Sequence, residues 1–317
     1  MGRMRLELQF KMAAEMRFRE HVDKHAMKRA GVLRESALIF SYAALYNLMD
    51  LADSFCRWLR EHDYRYRYLR DIPVEVLNEF LEKKSATVSY RTLKNYESRI
   101  RTWEKIINAA FKTEIRWSDR LQVPYKLKPK ETEILRIQQM QRNDFEKIMG
   151  YMARKQSRSK APFALELSAR FGLRVEGTAR ICPRNVHLDV KGLFGFGTID
   201  ITEKGGRTRT IGIKNEADRE FIGELIQEKE PDELLVPIQK DSVNKFLNRT
   251  MQKVGIKERY PETSIHSIRK LYAQETWNNY RQMGHTWDEA LRYVNRQLGH
   301  GEERNRTLLA VYVKNMW

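Results

Sequence analysis

Residues 264–271 read Ser-Ile-His-Ser-Ile-Arg-Lys-Leu. The isoleucines and the leucine of this stretch recur at helical spacing, which predicts a helix that is buried on one side. His266 and Arg269 stand three residues apart, so both side chains project from the same face of that helix. The pair alone is compatible with an ordinary surface or structural contact, and its meaning depends on the rest of the chain.

Four further residues frame this helix in a fixed order. Arg174 follows the sequence Phe-Gly-Leu, after an apolar stretch, and Lys204 stands in the turn sequence Glu-Lys-Gly-Gly. His300 follows Gln-Leu-Gly, and Tyr312 lies twelve residues later between two valines. Considered one at a time, these residues would have ordinary interpretations: Arg174 and Lys204 as surface charges, His300 as a helix cap and Tyr312 as a core residue.

Taken together, the ordered set Arg, hairpin Lys, His-x-x-Arg, Leu-Gly-His and Tyr resembles the tyrosine recombinase (phage integrase) family. The resemblance is specific over residues 135–317 and looser over the helical region before them. It implies a mainly α fold with a small β-sheet or hairpin, in which an α+β catalytic domain forms a two-domain clamp with a helical core-binding domain. We therefore expect a DNA-binding core-binding domain over residues 36–128 and the catalytic domain over 135–317. The segment 1–35 is rich in Met, Arg and Lys, and we expect it to be either a basic helical arm that touches DNA or a neighbouring protomer, or a solvated amphipathic helix.

The resemblance assigns phosphate chemistry to three of these residues. A phosphodiester resists attack because its oxygens are negatively charged, and its transition state accumulates further charge. Arg174 and Arg269 would hold the non-bridging oxygens. Tyr312 would attack phosphorus and leave a 3′-phosphotyrosine, which conserves bond energy so that resealing needs no ATP.

The same resemblance assigns proton transfer to the remaining three. Lys204 is the expected general acid for the departing 5′-oxygen, and His266 and His300 would donate hydrogen bonds to the phosphate or accept the tyrosine proton. We expect no cofactor and no metal, because fixed cations supply the positive charge and the sequence shows no convincing carboxylate cluster for magnesium.

The chain departs from the family pattern in several places. The family usually carries an acidic residue three positions after the first arginine, where this chain has Gly177, and Glu176 stands one position early. The stretch before His300 is longer than usual and contains a second Gly-His, at His285, which is the alternative to His300. The spacing from His300 to Tyr312 is also longer than the commonest one. The five residues after Tyr312 leave little room for the C-terminal helix that many members exchange between protomers.

Composition restricts the class of partner. The chain has 317 residues and a formal net charge of +17, which favours a polyanion. Nucleic acid is the commonest such partner, and an anionic membrane is the rival, although no stretch approaches the ~20 apolar residues of a spanning helix. The two cysteines, Cys56 and Cys182, form neither a zinc-finger pair nor a disulfide framework. We expect a reduced cytoplasmic setting, with association to the nucleoid and not to a membrane.

Helical patterns account for most of the chain. The clearest covers residues 89–111, where an apolar stripe runs along one face and basic residues lie off it. The stripe predicts core, and the basic flanks predict either a solvated face or a surface laid along a phosphate backbone. Further helices are predicted at residues 37–59, 73–81, 143–155, 162–172, 215–229, 241–253, 264–280 and 286–298.

Two stretches of the second half, 198–202 and 208–213, alternate as strands and flank the turn that contains Lys204. They predict a β-hairpin with Lys204 at its tip. Capping boxes, in which the first residue and the one three places later bond each other's backbone, are predicted at Asn143 and Thr286, each with a following glutamate.

The resemblance implies a site-specific recombinase or integrase of a mobile element. It would act as a homotetramer on double-stranded DNA that carries recombination sites, and accessory DNA-bending or directionality factors are further partners that the family admits. A type IB topoisomerase, which uses nearly the same site to relax supercoils, is the first alternative. A catalytically silent DNA-binding protein on the same fold is the second.

Overall fold

A computed structural model describes residues 5–20, 22, 27, 31, 37–124, 138–155, 159–203, 207–300, 308 and 311–313. The chain divides into two compact units, Met1–Glu133 and Ile134–Trp317. The first unit is helical, and the second combines helices with a three-stranded sheet, so the predicted fold class is confirmed. Among the described residues, no helix is long and apolar enough to cross a bilayer.

Two helices of the first unit begin at serine caps. The Ser41 hydroxyl accepts the N–H of Ala44, and the Ser89 hydroxyl accepts the N–H of Thr92, which satisfies donors that a helix start leaves open. The described helices are α1 (Leu6–Arg17), α2 (Tyr42–Glu61), α3 (Val74–Ser85), α4 (Tyr90–Phe111) and the short α5 (Trp117–Arg120).

Aromatic side chains fill the centre of the first unit. Phe10 of α1 packs on Trp103 of α4 with ring centroids 4.6 Å apart, and Phe55 of α2 meets the edge of Phe80 of α3 at 5.1 Å. Tilted and edge-to-face rings add to the energy gained from apolar burial alone. The centre of this unit is therefore held by rings contributed from four helices.

The apolar stripe predicted on residues 89–111 is confirmed. Leu93, Ile100 and Trp103 of α4 are at most 1% exposed. On the flank of the stripe, Arg99 donates a hydrogen bond to Asn47 of α2 at 3.1 Å. At this point the basic flank of α4 contacts α2.

Helix α1 packs into the first unit, and the predicted arm over residues 1–35 stays a prediction for the residues beyond it. Phe10, Ala13 and Ala14 are at most 1% exposed and belong to the core of the first unit. The two alanines have small side chains, which allow α1 to approach its neighbours closely. Residues 6–17 are therefore part of the first unit's core, and the rest of that segment lies largely outside the described residues.

The second unit surrounds its sheet with helices. Its described helices are α6 (Arg142–Arg154), α7 (Ala161–Phe171), α8 (Val175–Thr178), α9 (Glu216–Ile226), α10 (Lys240–Lys253), α11 (Ile265–Gln282) and α12 (Trp287–Gln297). Its strands are β1 (Val186–His187), β2 (Thr198–Glu203) and β3 (Arg207–Gly212).

The predicted hairpin is confirmed as β2 and β3, which pair antiparallel, with β1 on the other side of β2. Ile199 pairs with Ile211 across the ladder, and both are fully buried. Their neighbours Thr208 and Thr210 face solvent, which is the alternation expected of a sheet with one covered face. The inward face of the hairpin joins the main core of this unit.

One of the two predicted capping boxes is confirmed. The Thr286 hydroxyl accepts the N–H of Glu289, and the Glu289 carboxylate accepts the N–H of Thr286. The box predicted at Asn143 is wrong, because α6 already begins at Arg142 and Gln141 occupies the cap position without a side-chain bond.

Candidate active site

Helix α11 positions the histidine and the arginine of the His-x-x-Arg pair. Ser264 caps its start, and Ile265 and Ile268 anchor its first turns in the core. Arg269 is fully buried, whereas His266 is partly exposed beside it. The predicted shared face of the two side chains is confirmed by their common neighbour Tyr312.

Two backbone carbonyls hold the arginines. Arg269 donates to the carbonyls of Gly172 and Leu298 through its two terminal nitrogens. Arg174, in the cap position of α8, reaches the same Leu298 carbonyl at 3.5 Å. Gly172 adopts a left-handed φ of +60° at the end of α7, where an added Cβ would collide with the ring of Tyr272. A glycine is therefore required to present this carbonyl.

Tyr312 lies against these groups. Its N–H donates to the Leu308 carbonyl at 2.8 Å, and its side chain is 5% exposed. The hydroxyl oxygen is 3.3 Å from Nε2 of His266. The His300 ring stands edge-on to the tyrosine ring, with centroids 5.2 Å apart. The structure thus brings together five of the six predicted site residues.

Burial and mutual repulsion depress the basicity of the site. Burial, followed by the charge of Arg269, lowers the pKa of Arg174 to about 10. Burial, followed by the charges of Arg269 and Arg174, lowers the pKa of His266 to about 4. The imidazole is therefore neutral at pH 7, and its Nε2 can accept the proton of the nearby hydroxyl. A cluster of crowded cations is also a ready site for an anion.

Lys204 lies outside the described residues. Strands β2 and β3 run up to the turn that contains it. Residues 301–307 are also outside the described part of the chain. Beyond them only 308 and 311–313 are described, and there the Tyr312 N–H donates a hydrogen bond to the carbonyl four residues earlier, as in a helix.

The structure separates the two alternative histidines. His285 stacks on Tyr280 with ring centroids 3.9 Å apart and lies 3.9 Å from the carboxylate of Glu289. His285 lies three residues after the end of α11, whereas His266 lies in its first turn. Because an 18-residue helix is about 27 Å long, the two histidines lie at opposite ends of α11. The geometry therefore places His300, and not His285, beside Tyr312.

The acidic position of the family pattern is also rearranged. Gly177 is buried in α8, and Glu176 forms an ion pair with Lys240 of α10 at 3.0 Å. The negative charge of the Glu176 carboxylate raises the pKa of Arg174 and of His266, but by less than any of the other neighbouring charges shifts them. Its contribution to the site is thus electrostatic and small.

One site residue is absent from the sequence prediction. Arg209 of β3 is 9% exposed and donates to the Gly172 carbonyl at 3.2 Å, beside Arg269. Burial, followed by the charge of Arg269, lowers its pKa well below the usual range. The sequence did contain a signal for this residue. Arg209 stands at an inward position of an alternating strand, where apolar residues such as Ile201 and Ile211 are expected.

No group of three or more histidine, cysteine, aspartate or glutamate side chains suited to a metal ion occurs among the described residues. The expectation of a metal-free reaction stays a prediction.

Comparison with known proteins identifies the fold. No protein-family model matches the sequence, and no curated protein matches it. The XerH site-specific recombinase, in a post-cleavage complex with its palindromic difH substrate, aligns with a TM-score of 0.58 and 16% identity over 90% of this chain and 76% of that chain. A lambda integrase dimer bound to a COC′ core site aligns with a TM-score of 0.56 and 16% identity over 90% and 77%.

The Tn1549 transposon integrase, in complex with transposon right end DNA, covers 97% of this chain and 96% of its own, with a TM-score of 0.55 and 12% identity. These three structures share their architecture with both units of the chain. The chain has the fold of the tyrosine recombinases.

Proposed function

We propose that this protein is a site-specific DNA recombinase that cleaves and rejoins DNA through a 3′-phosphotyrosyl intermediate at Tyr312. One observation carries the proposal: the Tyr312 hydroxyl lies 3.3 Å from a neutral histidine, His266, within a cluster of buried arginines. A surface or purely structural tyrosine has no need of such neighbours. The known fold supports the proposal because the structures that share it are recombinases bound to DNA.

The arrangement supplies what phosphoryl transfer requires. Arg174, which is half-buried, can donate to a non-bridging oxygen, and Arg269 adds its charge from behind. The Tyr312 oxygen forms a bond to phosphorus while the bond to the 5′-oxygen breaks. His266 accepts the tyrosine proton, and a bound phosphate offsets both arginines, which raises the pKa of His266 toward its ordinary value.

The departing 5′-oxygen needs a proton, and Lys204 is the proposed donor. His300, beside the tyrosine ring, is the proposed hydrogen-bond donor to the phosphate. In the reverse reaction a new 5′-hydroxyl attacks the phosphotyrosine, which releases Tyr312 and seals the strand. Because the phosphotyrosine bond keeps the energy of the broken phosphodiester, no nucleotide cofactor is needed.

The first unit is the proposed core-binding domain, which with the second unit forms a clamp on the duplex. Its basic flank on α4, including Arg99 and Lys105, would contact phosphates. A homotetramer on two recombination sites of a mobile element, located in the cytoplasm, completes the proposal. Accessory bending or directionality factors would act on this assembly.

Covalent trapping tests the proposal. Duplexes that bind the full chain are selected from a random DNA library, and a nick is placed near each candidate scissile phosphate. After cleavage, the short strand with the 5′-hydroxyl diffuses away, so the protein stays attached to DNA and is detected on a denaturing gel. Wild type is expected to form this adduct in the presence of EDTA, and Tyr312→Phe is expected to form none.

The outcomes separate the alternatives. An adduct with Tyr312→Phe would refute the assigned nucleophile, and dependence on added metal would refute the cationic mechanism. Binding without any wild-type adduct would favour the silent DNA-binding protein. Adduct formation with relaxation of supercoiled plasmid, but without strand exchange between two selected duplexes, would favour the topoisomerase.

A further inference from the structure

Arg209 occupies a position that the fold reserves for apolar side chains. On β2 and β3 the inward residues Ile199, Ile201 and Ile211 are at most 2% exposed, and Arg209 stands in the same face with 9% exposure. A buried guanidinium is costly, and apolar residues of similar size often fill such positions without loss of stability. An arginine here therefore calls for a reason other than stability.

The contacts of Arg209 point to that reason. Its terminal nitrogen donates to the Gly172 carbonyl at 3.2 Å, the same carbonyl that accepts from Arg269. Its aliphatic part lies against Gly299, where an added Cβ would stand 2.8 Å from Cδ of the arginine. Gly299 also has a left-handed φ of +65°. Both its backbone conformation and its close approach to Arg209 therefore favour a glycine at this position.

These two contacts join the segments that build the site. The first segment ends in Gly172 and leads directly to Arg174. The second contains Leu298, whose carbonyl holds both Arg174 and Arg269, and continues through Gly299 to His300. Arg209 reaches into the space between them from the hairpin. It thus touches the backbone segment that leads to Arg174 and the segment that accepts hydrogen bonds from Arg174 and Arg269 and leads to His300.

We infer that Arg209 is a positioning residue for the proposed cleavage reaction: it fixes the Gly172 carbonyl and the turn at Gly299, so that Arg269, Arg174 and His300 are held in the geometry the phosphate requires. This inference rests on the proposed function. It gives the hairpin a second task beside carrying Lys204. The guanidinium is needed because its planar fork reaches a carbonyl that a lysine ammonium contacts less well.

Two readouts test the inference on the full chain. In single-turnover cleavage of the nicked duplex, Arg209→Met is expected to slow adduct formation about 100-fold, with DNA affinity unchanged, as misplacement of a preorganised charge does. Arg209→Lys should lie between Met and wild type. Without DNA, hydrogen exchange at the amides of residues 298–300 should accelerate about tenfold in Arg209→Met, because the arginine side chain no longer packs against the turn at Gly299.

Arg219→Met is the matched control. Arg219 of α9 donates to the carbonyls of Leu188 and Phe196 at 2.6 and 2.9 Å, so it too is an arginine that binds backbone, but away from the site. Its loss is expected to leave the cleavage rate and the exchange of residues 298–300 unchanged.

Cleavage by Arg209→Met or Arg209→Lys at the wild-type rate would overturn the inference. Unchanged exchange at residues 298–300 would overturn it as well, and this readout holds even where wild type forms no adduct. If Arg209→Met does not fold, the lysine variant decides through the same two measurements. Absence of a wild-type adduct counts against the proposed function, whereas a wild-type adduct with insensitive variants counts against the role of Arg209 alone.

Discussion

The largest fully buried side chains of the first unit are rings, such as Trp103, Phe10 and Phe55, whereas in the second unit they include the guanidinium of Arg269. The charged pairs of the first unit lie outside its core, as in the exposed pair of Arg120 with Glu75 at 3.0 Å. Each unit has an apolar core, but among the residues that the structure describes only those of the second unit include several buried cations, Arg209, Arg269 and Lys270.

The contrast separates two uses of burial. Packed rings lower the free energy of the folded chain and leave no polar group to satisfy. Buried arginines contribute little to stability, because their desolvation offsets their bonds. They do hold positive charge in place before a substrate arrives, which is the requirement for stabilising a charged transition state. The packed rings of the first unit thus contribute mainly to stability, whereas the buried arginines of the second unit give its centre a positive charge that suits an anion.

The most severe test of this contrast is Arg269→Met. The variant removes a preorganised charge, so we expect cleavage of the nicked duplex to fall about 1000-fold. The free energy of unfolding should change by less than about 2 kcal/mol, since Arg209 and Arg174 still donate to the two carbonyls and methionine fills the space. Single-turnover adduct formation and urea denaturation measure the two quantities. A loss of several kcal/mol in stability would place Arg269 among the structural residues.

The complementary test is Trp103→Ala in the first unit. Removal of this ring leaves a cavity beside Phe10 and Phe55, and we expect a loss of about 3–5 kcal/mol. Hydrogen exchange should accelerate in peptides from α1 and α4 and stay unchanged in peptides from α11. Equal acceleration in α11 would mean that the two units do not have separate stabilities.

A smaller effect is expected from pH. The pKa of His266 is lowered to about 4 in the folded chain from an ordinary value of 6.5. The unfolded chain therefore takes up this proton first as the pH falls, and protonation favours unfolding between pH 6.5 and pH 4. The loss reaches about 3 kcal/mol at most and is absent at pH 7.

His266→Gln lacks this titration and serves as the comparison. Urea denaturation at pH 7 and pH 4.5 should show that the free energy of unfolding falls less in the variant than in wild type. The carboxylates titrate in both proteins, so their contribution cancels in this comparison. Identical losses would show that burial and the neighbouring arginines do not hold the imidazole neutral.

Much of the fold follows from local pattern. The periodicity of α4, the alternation of β2 and β3 and the capping box at Thr286 are each determined within one element, and the structure confirms them. The burial of α1 gives a weak signal in the sequence, because two of its four buried residues are alanines and one is a glutamine, and charged residues surround them. The false box at Asn143 shows the same limit, since tertiary contacts decided where α6 begins.

The site divides in a similar way. The order Arg, Lys, His-x-x-Arg, His, Tyr was visible in the sequence, and the structure brings five of those six side chains together. Arg209 was not visible, because its partner carbonyl at Gly172 lies 37 residues away and carbonyls leave no trace in a sequence. The alternation of β3 places Arg209 at an inward position, but only the folded hairpin shows which groups it contacts.

The two left-handed glycines, Gly172 and Gly299, have a practical consequence for redesign. Each is the point at which a backbone turn approaches a site side chain so closely that any Cβ would enter it, the ring of Tyr272 in one case and Arg209 in the other. A directed-evolution library that aims at new DNA targets should therefore keep both codons constant. Substitutions at either glycine are expected to displace the site side chains, so variation is better placed elsewhere in the protein.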